Sequence, residues 1–168
     1  MAIEQVGRCA VLLESLLTDI NAFSNPQDLL SFNHVLAFAN GTGANQADKR
    51  WSSAGRSLAG TASENLDLAG VLLDYRGNAI TFARIKAIAV YNYGPNILKV
   101  GGAASNAFVN WVADATDIVQ VRTGGLLLLV APDATAYAVT GTTGDILKIA
   151  NAAAGAITYD IGLLGASA

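Results

Sequence analysis

The sequence has one cysteine, Cys9, one histidine, His34, and three prolines. A single cysteine excludes an intramolecular disulfide and a cysteine-based metal site. It fits folding in a reducing compartment. A Ser-His-Asp hydrolase would have to use His34, and no Gly-x-Ser-x-Gly elbow accompanies it. A Cys9–His34 nucleophile pair is conceivable, but Cys9 lies in an apolar stretch that suits an inert thiol. Charge is scarce too, at 14% of the chain, against roughly a quarter in ordinary domains. The lysines and arginines are scattered from Arg8 to Lys148. Without a basic stripe to follow a phosphate backbone, nucleic acid is not an expected partner. The longest apolar run starts at Leu126 and stops before Asp133. That is far short of the roughly 20 residues a membrane-spanning helix needs, so a soluble chain with no membrane partner is expected. The N-terminus lacks the basic start and cleavage site of a signal peptide.

What the chain has is apolar residues (52%) and glycine (17 residues). At 168 residues it is long enough for one domain with a real core. Short stretches of β-branched, aromatic and leucine residues recur about every ten residues, separated by Gly, Asn and Asp turns. Residues 31–39, 50–58, 85–91, 97–101, 108–112, 117–122, 126–131, 137–140, 146–150 and 157–164 read as strands. No long amphipathic helix lies between them. This is the pattern of an all-β, antiparallel β-sandwich or jelly-roll-like domain. The continuous run 126–131 reads as its most buried strand. Residues 1–40 are ambiguous. Val6, Ala10, Leu13, Leu17 and Ile20 suit a helix, whereas Val11, Leu13 and Leu17 suit one face of a strand. Asn25-Pro26 breaks either element. The organisation expected is an N-terminal arm or edge segment over 1–40 and a sandwich domain over 41–168, compact as a whole.

Asp-Ala-Thr occurs twice, at 114–116 and 133–135, with Gly124-Gly125 between. Asp114, Asp117 and Asp133 are the weak candidates for a shared cation. Neither stretch continues with the alternating ligands, central glycine and terminal glutamate of a calcium loop. The same residues cap turns through side-chain-to-backbone hydrogen bonds. The turn reading is the one expected, with no metal, no catalytic residue and no cofactor. Gly41-Thr42-Gly43 lacks the rest of any phosphate-binding fingerprint. Trp51 and Trp111 are the candidates for an interface or a carbohydrate platform, beside Tyr75, Tyr91, Tyr93, Tyr137 and Tyr159. Low charge and high apolar content favour a role in an assembly.

Read in order, GTGANQAD (41–48), SLAGTASENLDLAGVLLD (57–74), GNAITFARIKAIAV (77–90), LKVGG (98–102), TGGLLLLVAPDATAYAVTG (123–141), GDILKIAN (144–151) and YDIGLLGAS (159–167) resemble small structural proteins of tailed-phage and prophage virions. The resemblance covers residues 41–167 and carries no catalytic motif. It implies a non-enzymatic virion component made in the host cytoplasm. The first expectation is a head decoration or cement protein, homo-oligomeric and trimeric by preference, clamping the major capsid protein or other virion proteins. A tail, neck or fibre-associated protein is the alternative. A surface carbohydrate-binding module is another.

Overall fold

The computed structural model describes residues 5–18 and 27–168. Among these residues there are thirteen β-strands and no helix. The strands are β1 (Gly7–Thr18), β2 (Gln27–Phe38), β3 (Lys49–Leu58), β4 (Ser63–Asp67), β5 (Ala69–Leu73), β6 (Ala79–Thr81) and β7 (Arg84–Asn92). They continue with β8 (Leu98–Gly101), β9 (Ile118–Val121), β10 (Leu126–Val130), β11 (Tyr137–Ala138), β12 (Ile146–Asn151) and β13 (Ile157–Ala166). The all-β, sandwich-like reading holds. Residues 108–112, however, form a turn, with Val112 N–H bonded to the Val109 carbonyl at 2.9 Å. Asn25-Pro26 and Ile20 lie outside the described residues.

Two sheets face each other. One has the order β10-β7-β13-β3, with β11 also paired to β7; the other has the order β4-β12-β8-β9. All the pairings within them are antiparallel. Alternating burial along the strands explains the layering, because successive side chains point to opposite faces. Ile88, Val90 and Leu163 from the first sheet meet Leu98, Leu147 and Ile149 from the second, all fully or nearly fully buried. Burial of such side chains is worth about 1.5–3 kcal/mol each.

The run at 126–130 corrects one expectation. β10 is an edge strand, not the most buried one, and Leu126 is 62% exposed. The central strands β7 and β13 hold the core instead. Gly124-Gly125 does not close a hairpin within one sheet. It carries the chain from β9, on the edge of the second sheet, to β10 in the first.

Gly7–Thr18 and Gln27–Phe38 resolve the helix-or-strand ambiguity for the described residues. β1 and β2 are extended, twelve residues each, and pair in register from Gly7↔Phe38 to Thr18↔Gln27. They form a two-stranded ribbon of their own, pairing with no other described strand. Its root is fixed to the body. Phe38 is buried, and Gly7 lies against Leu164 so closely that a Cβ there would sit 3.1 Å from Leu164 Cδ1. Gln5 bonds the Asn40 side chain and the Lys49 carbonyl, both at 3.2 Å.

Candidate interaction surface

The aspartates are committed to the backbone. Asp114 Oδ1 accepts from Thr116 N–H at 3.0 Å and from its hydroxyl at 2.9 Å. Asp117 Oδ2 accepts from Ala113 and Asp114 N–H at 3.1 and 2.8 Å. Asp133 Oδ1 accepts from Thr135 and Ala136 N–H at 2.9 and 2.8 Å. Asp114 and Asp133 make Asx-type turns, while Asp117 reaches back to close the loop before it. The bonds, above all those from Thr116 and Ala136 N–H, hold the Asp114 and Asp133 carboxyls below the usual carboxylate range. The two corners serve different sheets. Asp114 and Asp117 lead into β9, while Asp133 follows β10. Among the described residues no three His, Cys, Asp or Glu side chains cluster with the geometry of a metal site. Gly101 fits beside the first corner because its φ is +101° and a Cβ would sit 2.6 Å from the Asp117 carbonyl.

Trp51 lies on β3 of the first sheet and Trp111 in the turn at 108–112, and both pack partly buried against the core. Trp51, on β3, pairs across from Leu163 and lies 5.7 Å beneath the Arg56 guanidinium. Trp111 donates its indole N–H to the Phe108 carbonyl at 2.9 Å and lies against Gly101. They share no platform. Half-buried Tyr91 and exposed Tyr93 meet edge to face at 4.5 Å, with Tyr93 O–H donating to Asp160 Oδ2 at 2.8 Å.

His34 and Cys9 both lie on the ribbon. His34 pairs with Val11 and meets Phe32 edge-on at 4.5 Å. Cys9, opposite Leu36, shares that face diagonally. Burial pushes the Cys9 thiol pKa up, the reverse of an activated nucleophile.

Several polar groups that composition could not reveal are buried. Lys86 is fully enclosed at a β-bulge in β7, where the register slips between Leu164 and Gly165. Its ammonium donates to the Gly43 carbonyl at 3.2 Å and to the Asp133 carbonyl, tying two loops to the sheet. Burial, and to a lesser extent Arg84, lower its pKa. Between β3, β4 and β13, Arg56 pairs with Glu64, and the Tyr159 hydroxyl donates to Glu64 while accepting from Arg56 Nε at 3.2 Å. Burial pushes the Glu64 carboxyl up, but its bonds from Arg56 and Tyr159, with the guanidinium charge, outweigh this and hold it low. Burial first, and Glu64 second, push the Tyr159 phenol well above its ordinary range. The network joins the two sheets across their open side.

What the fold leaves uncovered is apolar. On the outer face of the first sheet, side chains align in three rows across the strands. One row is Leu126–Tyr91–Asp160, the next Leu128–Ala89–Gly162–Ser52, the third Val130–Ala87–Leu164–Arg50. Side chains shrink across the middle row from Leu to Gly, leaving a shallow depression of about 260 Å³. At Gly162 a Cβ would meet nothing within 4 Å. The ribbon is the second uncovered surface. Leu12, Leu13, Leu16, Leu17, Leu29 and Leu30 are exposed by 53–70%. Arg8, Glu14 and Asp28 are the only Asp, Glu, Lys or Arg in its strands.

No protein-family model matches the chain, and no curated protein or solved structure matches it significantly.

Proposed function

We propose that the protein is a non-enzymatic structural component of a tailed-phage particle, a head decoration or cement subunit. The observation that supports this most is the pair of apolar surfaces the fold does not cover: the leucine-rich ribbon and the outer rows of the first sheet. Exposed patches of this kind mark sites of protein association. The resemblance over residues 41–167 supplies the setting. The tight turns, the buried cross-links at Lys86 and Tyr159 and the alternating core make a rigid block, suited to bridging neighbouring subunits. A block that binds only the assembled shell adds its binding free energy to the shell by mass action. Repeated over a symmetric lattice, weak contacts become strong through avidity.

The test is a shell-stability comparison. Particles made without this protein should release their genome at a lower temperature than complete particles, and adding back purified protein should restore the higher value. Equal release temperatures with and without it would remove the cement role.

A further inference from the structure

Asp160 stands at an irregularity between β13 and β3. The register passes from Tyr159↔Arg56 to Ile161↔Ser53, so Ala54 and Gly55 oppose Asp160 alone. This is a β-bulge on β3, with Gly55 in the left-handed region at φ +64°. It brings Gly55 N–H to Asp160 Oδ1 at 2.7 Å. Tyr93 O–H holds Oδ2 at 2.8 Å. The carboxylate is thus fixed on the outer face of the sheet, and each oxygen keeps a free acceptor position. Its charge is not matched within the chain. Among the described residues the ion pair is Arg56 with Glu64, and Asp160 has no cationic partner. Arg50 lies across from Leu164, four residues along β13 from Asp160. That is about 13 Å at ~3.3 Å per residue, beyond the ~10 Å screening length at 0.1 M salt.

The neighbours suit a cation that is itself apolar. Tyr91 pairs directly across from Asp160, and Leu126 directly across from Tyr91. Side chains so placed are ~5 Å apart at Cβ, so one small ligand reaches all three. Tyr93 meets Tyr91 at 4.5 Å with the rings inclined by 72°, which sets two aromatic rings beside the carboxylate. Ala54, Ala89 and Gly162 complete the depression of about 260 Å³. Aromatic faces attract cations through the ring quadrupole. A bare ammonium would bring three N–H donors and a tightly held water shell. The lining cannot satisfy them. Ser53 already accepts from Arg56 Nη1 at 3.3 Å, and the alanines, Leu126 and Gly162 have no side-chain acceptor. Methyl groups on the nitrogen remove that demand and match the apolar walls.

We propose that this depression binds a small methylated ammonium group, such as the trimethylammonium of choline, over Tyr91 with its charge against Asp160. The ligand takes the Tyr91 end of the outer rows and leaves the ribbon and the remaining rows free for protein contact. The inference does not rest on the virion reading and holds for the purified chain alone.

The experiment is an NMR titration of the isotope-labelled protein with choline chloride at constant ionic strength. Amide shifts should concentrate at Gly55, Tyr91, Asp160 and Gly162. They should saturate with a dissociation constant on the order of 1 mM, as one exposed cation–π contact beside one carboxylate allows. Neohexyl alcohol, the same shape with carbon in place of the charged nitrogen, should bind far more weakly. Asp160→Asn still accepts from Gly55 N–H but loses the charge, and should weaken choline binding roughly fivefold. Tyr91→Ala should weaken it by roughly the same factor. Gly162→Trp fills the depression at a position with open space and should abolish the shifts. Unchanged amide shifts away from the depression would show that the variants are folded. Phosphatidylcholine vesicles separate the sources: choline binding with vesicle cosedimentation supports a lipid-borne group, and choline binding without it supports a soluble ligand. The absence of saturable shifts would overturn the proposal. So would equal binding of neohexyl alcohol, or an affinity unchanged in Asp160→Asn.

Discussion

Tyr159 has no exposed surface, yet its hydroxyl lies between a carboxylate and a guanidinium. Removing that hydroxyl in Tyr159→Phe should cost about 2 kcal/mol, the range for a hydrogen bond to a charged group. Glu64 gives the acid side of the same prediction. Its folded pKa is depressed, so its contribution is present above pH 4.5 and is lost as pH falls through the lowered folded value. Tyr159 gives the alkaline side. Its folded pKa is raised, so its contribution is full below pH 10 and fades as pH rises further. Denaturant midpoints across pH should therefore differ between the unaltered protein and Glu64→Gln at neutral pH and converge in acid. A gap that is constant down to pH 2 would break the assignment. The aspartates make a second prediction at this scale. Asp114, Asp117 and Asp133 spend oxygens on backbone N–H groups. Thermal unfolding with excess calcium and with a chelator should give the same midpoint, and a calcium-dependent rise would revive a shared cation. The turn chemistry was legible in the sequence because these aspartates bond neighbours two to four residues away. The Arg56–Glu64–Tyr159 network was not, because Tyr159 lies 95 residues from Glu64 and no local pattern joins them.

At the scale of elements, strand existence was legible and strand position was not. The short apolar stretches at 146–150 and 157–164 marked β12 and β13, whose burial alternates because each has one face on the core. The leucine run at 126–130 misled for a physical reason. A strand with two apolar faces reads as central, whether its second face is covered by its own chain or left for another. Residues 108–112 misled differently: a turn folds Phe108 into the core and packs Trp111, partly buried, against it, so their apolar character carries no period. The two kinds of face separate by mutation. Leu147→Ala, inside the sandwich, should cost 2–5 kcal/mol in denaturant unfolding through lost transfer energy and a cavity. Leu128→Ser, on the outer face, should leave the folding free energy within about 1 kcal/mol and weaken association instead. Equal folding losses for both would mean that β10 is buried from both sides within one copy.

For the whole molecule, low charge and abundant apolar residues pointed to assembly before any coordinates did, and the exposed leucines of β1 and β2 are where that excess goes. The partner's identity was not legible, since an apolar face encodes contact and not the name of what it contacts. The proposal makes the protein a fixed part of a particle. The most direct measurement of that proposal is the copy number of the protein in purified particles of a phage whose genome carries this sequence, by quantitative mass spectrometry against the major capsid protein, with tailless heads analysed beside complete particles. The account predicts a constant ratio to the capsid protein, the same in tailless heads as in complete particles. A chain abundant in the lysate but missing from both would contradict it.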